Sequence, residues 1–174
     1  MTALSGPLQS PTPLALWEPQ VGDAFVVDTE SNTGYLIHQN GEFTSFEVVT
    51  GRREVVRYIG RTYNAATPNR SWKVESNETK GDRFTFGVTG RFLRLYDEDG
   101  KTPYGIHPYK FEDKMFSENG RFGSMGCIIV RESTMDLLIK TFDLNGGSLD
   151  TTTTYGLASL AEKQALLMKE KKEG

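Results

Sequence analysis

The sequence predicts a mainly β protein, a sandwich or barrel covered by one or two α-helices. Short segments rich in β-branched and aromatic residues recur through most of the chain, and turn residues separate them. An Asn-Gly pair at 40–41, between two such segments, is a strong signal for a tight turn. With 174 residues, 37% of them hydrophobic, the chain can form one sizeable core but not two comfortable domains.

The predicted strands alternate with turns and come before the predicted helices. In chain order the strands cover 25–28, 34–38, 42–50, 55–59, 72–75, 84–96 and 128–130. The segment 84–96 is broken by Gly87 and Gly90. Residues 133–142 predict a helix that packs through Leu137, Leu138 and Phe142 and stops at an Asn-Gly-Gly sequence. Residues 159–172, rich in Ala, Leu, Glu and Lys, predict a second helix.

These elements divide the chain into three parts. Residues 1–20 contain four prolines, whose spacing excludes a helix, and form a Pro-rich extension. Residues 21–156 form the main domain, and 157–174 form the C-terminal helix. The first twenty residues contain no Lys or Arg, so no signal peptide is visible. A net charge of −3 and the absence of a long apolar run predict neither a nucleic-acid partner nor a membrane span.

Cys127 is the only cysteine, and it directly follows the turn sequence Ser124-Met125-Gly126. One of the two histidines, His107, lies 20 residues upstream. A histidine within hydrogen-bonding reach makes a thiolate available near neutral pH, which a cysteine nucleophile needs. A glycine in the turn allows consecutive amides to point at one oxyanion. The alternative is an inert core cysteine, since free cysteine is among the most buried residue types.

The remaining polar and aromatic candidates have ordinary structural explanations. We expect His38 to be a surface or edge residue of its strand rather than a ligand. The separations between Cys127 and the two histidines match no common structural zinc site, so we expect no metal and no cofactor. Tyr104 and Tyr109 flank His107 and line a groove or pack as aromatics.

The motif around Cys127 resembles the signature of a known enzyme family. An Ile-His pair, a variable loop and then Ser-x-Gly-Cys-Ile at the start of a strand resemble the L,D-transpeptidase (YkuD-type) catalytic domain of bacterial cell-wall enzymes. Upstream, two strands, the Asn-Gly turn and a third strand ending in Thr-Gly at 50–51 resemble the opening of that domain. The similarity covers residues 22–143.

The resemblance implies an L,D-transpeptidase that acts on peptidoglycan stem tetrapeptides and forms cross-links through a thioester. Cys127 is then the nucleophile, His107 the base and Ser124 a further catalytic or turn-closing residue. The backbone amides of Met125, Gly126 and Cys127 form the oxyanion hole. The family also implies reaction with carbapenems, a monomer, and a location in the cell envelope or periplasm or outside the cell.

Two departures from the family's commonest motif affect substrate binding. Met125 stands where the family has His, and Ile129 stands where it has Arg. Arg131 is a candidate replacement, because even spacing along a strand returns a side chain to the same face. We therefore expect Arg131, Tyr104 and Tyr109 to bind substrate. The alternatives are an L,D-carboxypeptidase that trims stem peptides, with an antibacterial role as one variant, and a non-catalytic β domain that binds the cell wall.

Overall fold

The computed structural model of the protein describes residues 10–117 and 123–157. The predicted second helix lies outside these residues, as does the first half of the Pro-rich extension. The described strands are β1 Ala24–Asp28, β2 Thr33–Ile37, β3 Phe43–Glu47, β4 Val55–Tyr58, β5 Arg61–Asn64, β6 Ser71–Thr79, β7 Arg91–Asp97, β8 Gly100–His107, β9 Ile128–Ile129 and β10 Leu149–Thr154. The α-helices are α1 Glu112–Met115 and α2 Glu132–Leu144.

Eight of the strands form one sheet in the order β3-β2-β1-β10-β6-β7-β8-β9, and β4 pairs only with β5. The pairs β1–β10 and β8–β9 are parallel, and the other pairs are antiparallel. Just after β3, Val49 bridges Ile129 in β9, and Gly51 bridges Ser124. The sheet therefore curls until its two edges meet, and the predicted mainly β sandwich or barrel is confirmed.

The concave face of the sheet and helix α2 share one apolar core. From α2, Met135, Leu138 and Phe142 join a core that contains buried side chains from all eight strands of the sheet. Complete burial of a side chain of this size contributes roughly 1.5–3 kcal/mol. The helix ends where predicted, because Gly147 adopts a positive φ of 86° and its amide donates to the Phe142 carbonyl at 2.9 Å.

The predicted strand over 84–96 begins only at Arg91. Asp82 holds the preceding segment in a turn, because its Oδ1 accepts the amides of Phe84 and Thr85, both at 3.0 Å. Such a side-chain acceptor competes with strand pairing.

The second half of the Pro-rich extension is part of the fold. Thr12 is hydrogen-bonded to strand β3 through the Phe43 carbonyl, at 2.8 Å. Trp17 is buried and stacks on His38, with ring centroids 3.8 Å apart. The prediction that His38 is a surface or edge residue is therefore wrong: the residue is 6% exposed. Burial is possible because Asp23 Oδ1 lies 2.6 Å from His38 Nδ1 and satisfies it.

No helix in the described part of the chain is both long and apolar enough to cross a membrane.

Candidate active site

Cys127 and His107 lie on neighbouring parallel strands. His107 ends β8 and is paired with Ile129, whereas Cys127 directly precedes β9. Ile106 and Ile128, which are also paired, point into the apolar core. Because side chains alternate between the faces of a strand, His107 and Cys127 share the opposite face, offset by two residues, roughly 6.6 Å along the strands.

The turn before Cys127 is closed by the side chain of Ser124. Its Oγ donates to the Cys127 carbonyl at 2.6 Å and accepts the Gly126 amide at 3.1 Å. Gly126 has a φ of +130°, and a Cβ there would lie 2.5 Å from Cε1 of Tyr104. Both the backbone conformation and the space therefore require glycine at this position.

Two further side chains hold the carbonyl groups of the turn. Tyr63 Oη donates to the Met125 carbonyl at 2.9 Å, and Thr67 Oγ1 donates to the Gly126 carbonyl at 2.8 Å. In a trans peptide the C=O and N–H point in opposite directions. The bond from Thr67 therefore aims the Cys127 amide away from Thr67. Three backbone amides were predicted for the oxyanion hole. The Gly126 amide is already hydrogen-bonded to Ser124 Oγ, whereas the amides of Met125 and Cys127 take no part in that bond.

His107 is enclosed by aromatic rings and is 4% exposed. The ring of Phe86 lies 4.7 Å from it and that of Phe92 lies 5.8 Å from it, centroid to centroid. Its Nδ1 lies 2.7 Å from the Pro108 carbonyl, which requires the proton on Nδ1 and leaves Nε2 as the basic nitrogen. Burial lowers the pKa of His107 to about 4, so the imidazole is neutral at neutral pH.

The Cys127 thiol is also neutral at rest. Although part of the residue is exposed, burial raises the pKa of the thiol to about 11, against opposing effects of the Gly105 amide and of Arg94 and Lys80. The expectation that a thiolate is available near neutral pH is therefore not met in this state, because desolvation outweighs the favourable charges. In the part of the chain that the structure describes, no hydrogen bond joins Cys127 to His107.

The two tyrosines predicted to line a groove have different surroundings. Tyr104 packs edge-on against Trp72, with centroids 5.7 Å apart, and contacts the turn at Gly126. Tyr109 packs edge-on against Phe84, with centroids 5.6 Å apart. Tyr104 thus supports the turn before Cys127, whereas Tyr109 belongs to a separate aromatic cluster.

The positions of Ile129 and Arg131 provide no free cation beside the thiol. Ile129 is 3% exposed and is held in the ladder between β8 and Val49. The Arg131 guanidinium lies 3.7 Å from Glu47 and over the ring of Phe116, with Cζ 4.5 Å from the centroid.

Four residues that contact the turn or influence the Cys127 thiol were not predicted from the sequence: Tyr63, Thr67, Lys80 and Arg94. Only Arg94 had a signal in the sequence. It lies two residues from Phe92 in a segment predicted as a strand, and this spacing places the two side chains on the same face. Within residues 10–117 and 123–157, no three His, Cys, Asp or Glu side chains gather as a metal site would require.

Most of the chain matches the model of one known protein family. The model of the L,D-transpeptidase (YkuD) catalytic domain matches residues 22–148, and the match includes both His107 and Cys127. The chain belongs to the L,D-transpeptidase catalytic domain family. The predicted resemblance is therefore confirmed.

Solved L,D-transpeptidase structures have the same fold. An L,D-transpeptidase from Xylanimonas cellulosilytica is 18% identical, with a TM-score of 0.55 over 79% of this chain and 63% of that one. The catalytic domain of an L,D-transpeptidase from E. faecium is 16% identical, with a TM-score of 0.50 over 78% of this chain and 98% of that one.

A third similar structure is the helical cell shape determining protein Pgp2 from Campylobacter jejuni. It is 16% identical to this chain, with a TM-score of 0.53 over 85% of this chain and 54% of that one. The chain thus spans little more than half the length of Pgp2. No curated protein gives a significant match to this L,D-transpeptidase-family chain.

Proposed function

We propose that the protein is a cysteine-dependent L,D-transpeptidase that cross-links peptidoglycan stem tetrapeptides. The observation that supports this proposal is that the family match contains Cys127 and His107 on one face of two adjacent strands. The proposal assigns the nucleophile to Cys127 and the general base to His107. It places the enzyme in the cell envelope or outside the cell, as a monomer with stem peptides as its partners.

In the first half of the proposed reaction, the thiol attacks the carbonyl of the diamino acid at the third stem position. His107 Nε2 takes the thiol proton as the C–S bond forms, because both groups are neutral at rest. The carbonyl groups of Pro108 and Thr85 favour the imidazolium that results. The amides of Met125 and Cys127 stabilise the oxyanion, a contribution of roughly 2.7–4 kcal/mol per donor.

The intermediate then collapses to a thioester. The C–N bond to the terminal D-alanine breaks, and the leaving amine takes the proton from His107. An acceptor amine next attacks the thioester while His107 removes a proton from it. The C–S bond breaks, a new amide is formed, and the proton returns to Cys127.

An L,D-carboxypeptidase is the second candidate, since water in place of the amine would release the trimmed peptide. The observation that favours it is the buried Ile129 at the position where the family's commonest motif has Arg. The hydrogen bonds from Tyr63 and Thr67 hold the turn in the same way whether water or an amine attacks the thioester.

The experiment that tests both candidates is mass analysis of the full chain incubated with a purified stem tetrapeptide, with and without an amine acceptor. We expect a thioester adduct on Cys127, cross-linked product when the amine is present, and neither with Cys127→Ala. Tripeptide alone, even with excess amine, would establish the carboxypeptidase. A complete lack of adduct and of turnover would contradict both enzyme candidates and favour the third candidate, a non-catalytic domain that binds the cell wall.

A carbapenem provides an independent probe of the same thiol. We expect one adduct per chain, located on Cys127 and absent from Cys127→Ala. Intact mass spectrometry measures it directly, and an adduct at any other residue would contradict the assignment of the nucleophile.

A further inference from the structure

The ring of Phe92 lies on the face of the sheet that carries His107 and Cys127, since its neighbour Leu93 is paired with Ile106 on the core face. It is stacked on His107, with an interplanar angle of 19°. It also covers Gly105, where a Cβ would lie 2.1 Å from Cζ of the ring. Gly105 is the residue whose amide interacts with the Cys127 sulfur. A group that contacts Phe92 from outside is therefore close to the reacting atoms.

Two cationic side chains occupy the surface of this ring. Lys80 Nζ lies 4.6 Å from the Phe92 centroid, and Arg94 Cζ lies 4.8 Å from it. Cations at this distance from an aromatic face are attracted by its quadrupole. Arg94 is also paired with Gly105 across the ladder between β7 and β8, which fixes its backbone beside the turn.

Glu78 holds both cations in place. Its carboxylate accepts Nε and Nη2 of Arg94 at 2.6 and 2.8 Å and lies 3.3 Å from Lys80 Nζ. The hydrogen bond from Arg94 lowers the pKa of Glu78 to about 2, so the carboxylate is charged throughout the neutral range. One carboxylate thus neutralises only one of the two cations, and the cluster keeps a positive charge.

The cluster has hydrogen-bond donors that its own members do not use. Arg94 has five N–H groups. Two of them bind Glu78 and one binds the Thr102 carbonyl at 2.9 Å, so two remain within the described part of the chain. The Arg94 side chain is 12% exposed, and partial desolvation strengthens any bond that it makes to an anion.

We propose that Lys80 and Arg94 bind the free C-terminal carboxylate of the stem peptide, on the outer face of Phe92 beside Cys127. The leaving residue directly follows the carbonyl that is attacked, and consecutive Cα atoms are only about 3.8 Å apart, so the partner of its carboxylate must be near the sulfur. The two unused N–H groups of a guanidinium match a carboxylate in geometry and charge. This inference rests on the proposed function.

The experiment compares a stem tetrapeptide that has a free C-terminal carboxylate with the same peptide ending in a carboxamide. For the unmodified protein we expect kcat/KM to be higher for the acid than for the amide. Lys80→Gln and Arg94→Gln should lower kcat/KM for the acid by roughly tenfold to a hundredfold, mainly through KM. The ratio between acid and amide should fall towards one in both variants.

Matched controls are available on the same strands. Arg91 is also in β7 and forms ion pairs with Glu132 and Asp136, and Lys73 is in β6 opposite Asp150. Arg91→Gln and Lys73→Gln should leave the acid-to-amide ratio unchanged. Arg94→Gln leaves Glu78 without its main partner, so Lys80→Gln, which removes only one ion pair, is the variant to use if Arg94→Gln does not fold.

Three results would overturn the inference. One is an unmodified protein that turns over acid and amide equally. The second is an equal loss for both peptides in the Lys80 and Arg94 variants, which would indicate a role in the fold or in the thiol's charge. The third is a kcat/KM that depends on whether the side-chain carboxylate of the diamino acid is amidated, and not on the C-terminal carboxylate. In each case turnover that depends on Cys127 would still support the proposed function, and its absence would reject that function separately.

Discussion

The Tyr63 hydroxyl donates a hydrogen bond of 2.9 Å to the Met125 carbonyl, which ties the β4–β5 hairpin to the turn before Cys127. Among the described strands, the hairpin has no partner in the main sheet. Since Gly126 donates to Ser124 from the same peptide unit, the bond from Tyr63 fixes the plane of that unit from its other side.

Tyr63→Phe should therefore loosen the turn while keeping the aromatic ring. We expect a loss of about 1 kcal/mol in the free energy of unfolding, the usual net contribution of one hydrogen bond. We also expect kcat to fall about tenfold, because small displacements of a positioned donor are costly in catalysis. Tyr58→Phe, in the same hairpin but with a side chain that is largely exposed, is the matched control. Equal effects of the two substitutions would show that the Tyr63 bond has no special role.

Gly126→Ala should be severely damaging for two reasons, its φ of +130° and the contact of the new methyl group with Tyr104. Gly100→Ala separates these reasons, because Gly100 has a φ of +107° and open space around its Cβ position. We expect Gly100→Ala to cost about 1 kcal/mol of stability from backbone strain alone. Gly126→Ala should cost clearly more and abolish thioester formation. Thermal unfolding and intact mass measure the two effects, and similar stabilities of the two variants would contradict the packing argument.

The sequence predicted strands where apolar alternation is strong and missed them where it is weak. Strands β1 and β2 and helix α2 were predicted within a few residues. Strand β10 was not, because its sequence Leu-Asp-Thr-Thr-Thr-Thr has few apolar residues and alternates through buried threonines. Its position in the middle of the sheet, parallel to β1, depends on a long-range pairing that no local pattern encodes.

The candidate site was predictable only in part for a similar reason. Cys127 and His107 could be named because each belongs to a rare residue type beside a turn or strand signal. Arg94 and Lys80 belong to common residue types, and they reach the site only because β6, β7 and β8 are neighbours in the sheet. Their relation to Cys127 is therefore a property of the topology and not of local sequence.

His107→Gln should lower kcat/KM by at least about a hundredfold, the contribution of a positioned general base. The matched control is His38→Gln, at the only other histidine in the sequence. His38 directly follows β2 and is buried beside Asp23 and Trp17, on different elements from β8 and β9. We expect His38→Gln to reduce stability but to leave kcat nearly unchanged in the folded protein. A larger loss of kcat in His38→Gln than in His107→Gln would show that the base is wrongly assigned.

Acid should destabilise the protein through His107. Its pKa in the folded protein, about 4, is below its ordinary value of 6.5, so the unfolded chain binds the proton more readily. The stabilisation is complete above pH 6.5 and is lost as the pH falls towards 4, by about 3 kcal/mol in total. Glu78 adds a separate loss of stability only below pH 4.5. Its carboxylate is then protonated more readily in the unfolded chain than in the folded protein, where it is bonded to Arg94. Urea unfolding at pH 7 and pH 5 should show a loss that is absent in His107→Gln, and a loss of equal size in that variant would contradict the assignment.

The same pKa values predict an unusual pH dependence of activity. In the proposed mechanism the active form is the neutral pair of the Cys127 thiol and the His107 imidazole, because the imidazole accepts the thiol proton during attack. His107 is half protonated only near pH 4, and Cys127 is half ionised only near pH 11, because these are their pKa values. The profile of kcat/KM, which reports the free enzyme, should therefore be flat from about pH 5 to pH 9, with limits that belong to the coupled pair. An acid limb centred near pH 6.5 would show that His107 is hydrated in solution, in conflict with its position between Phe86 and Phe92.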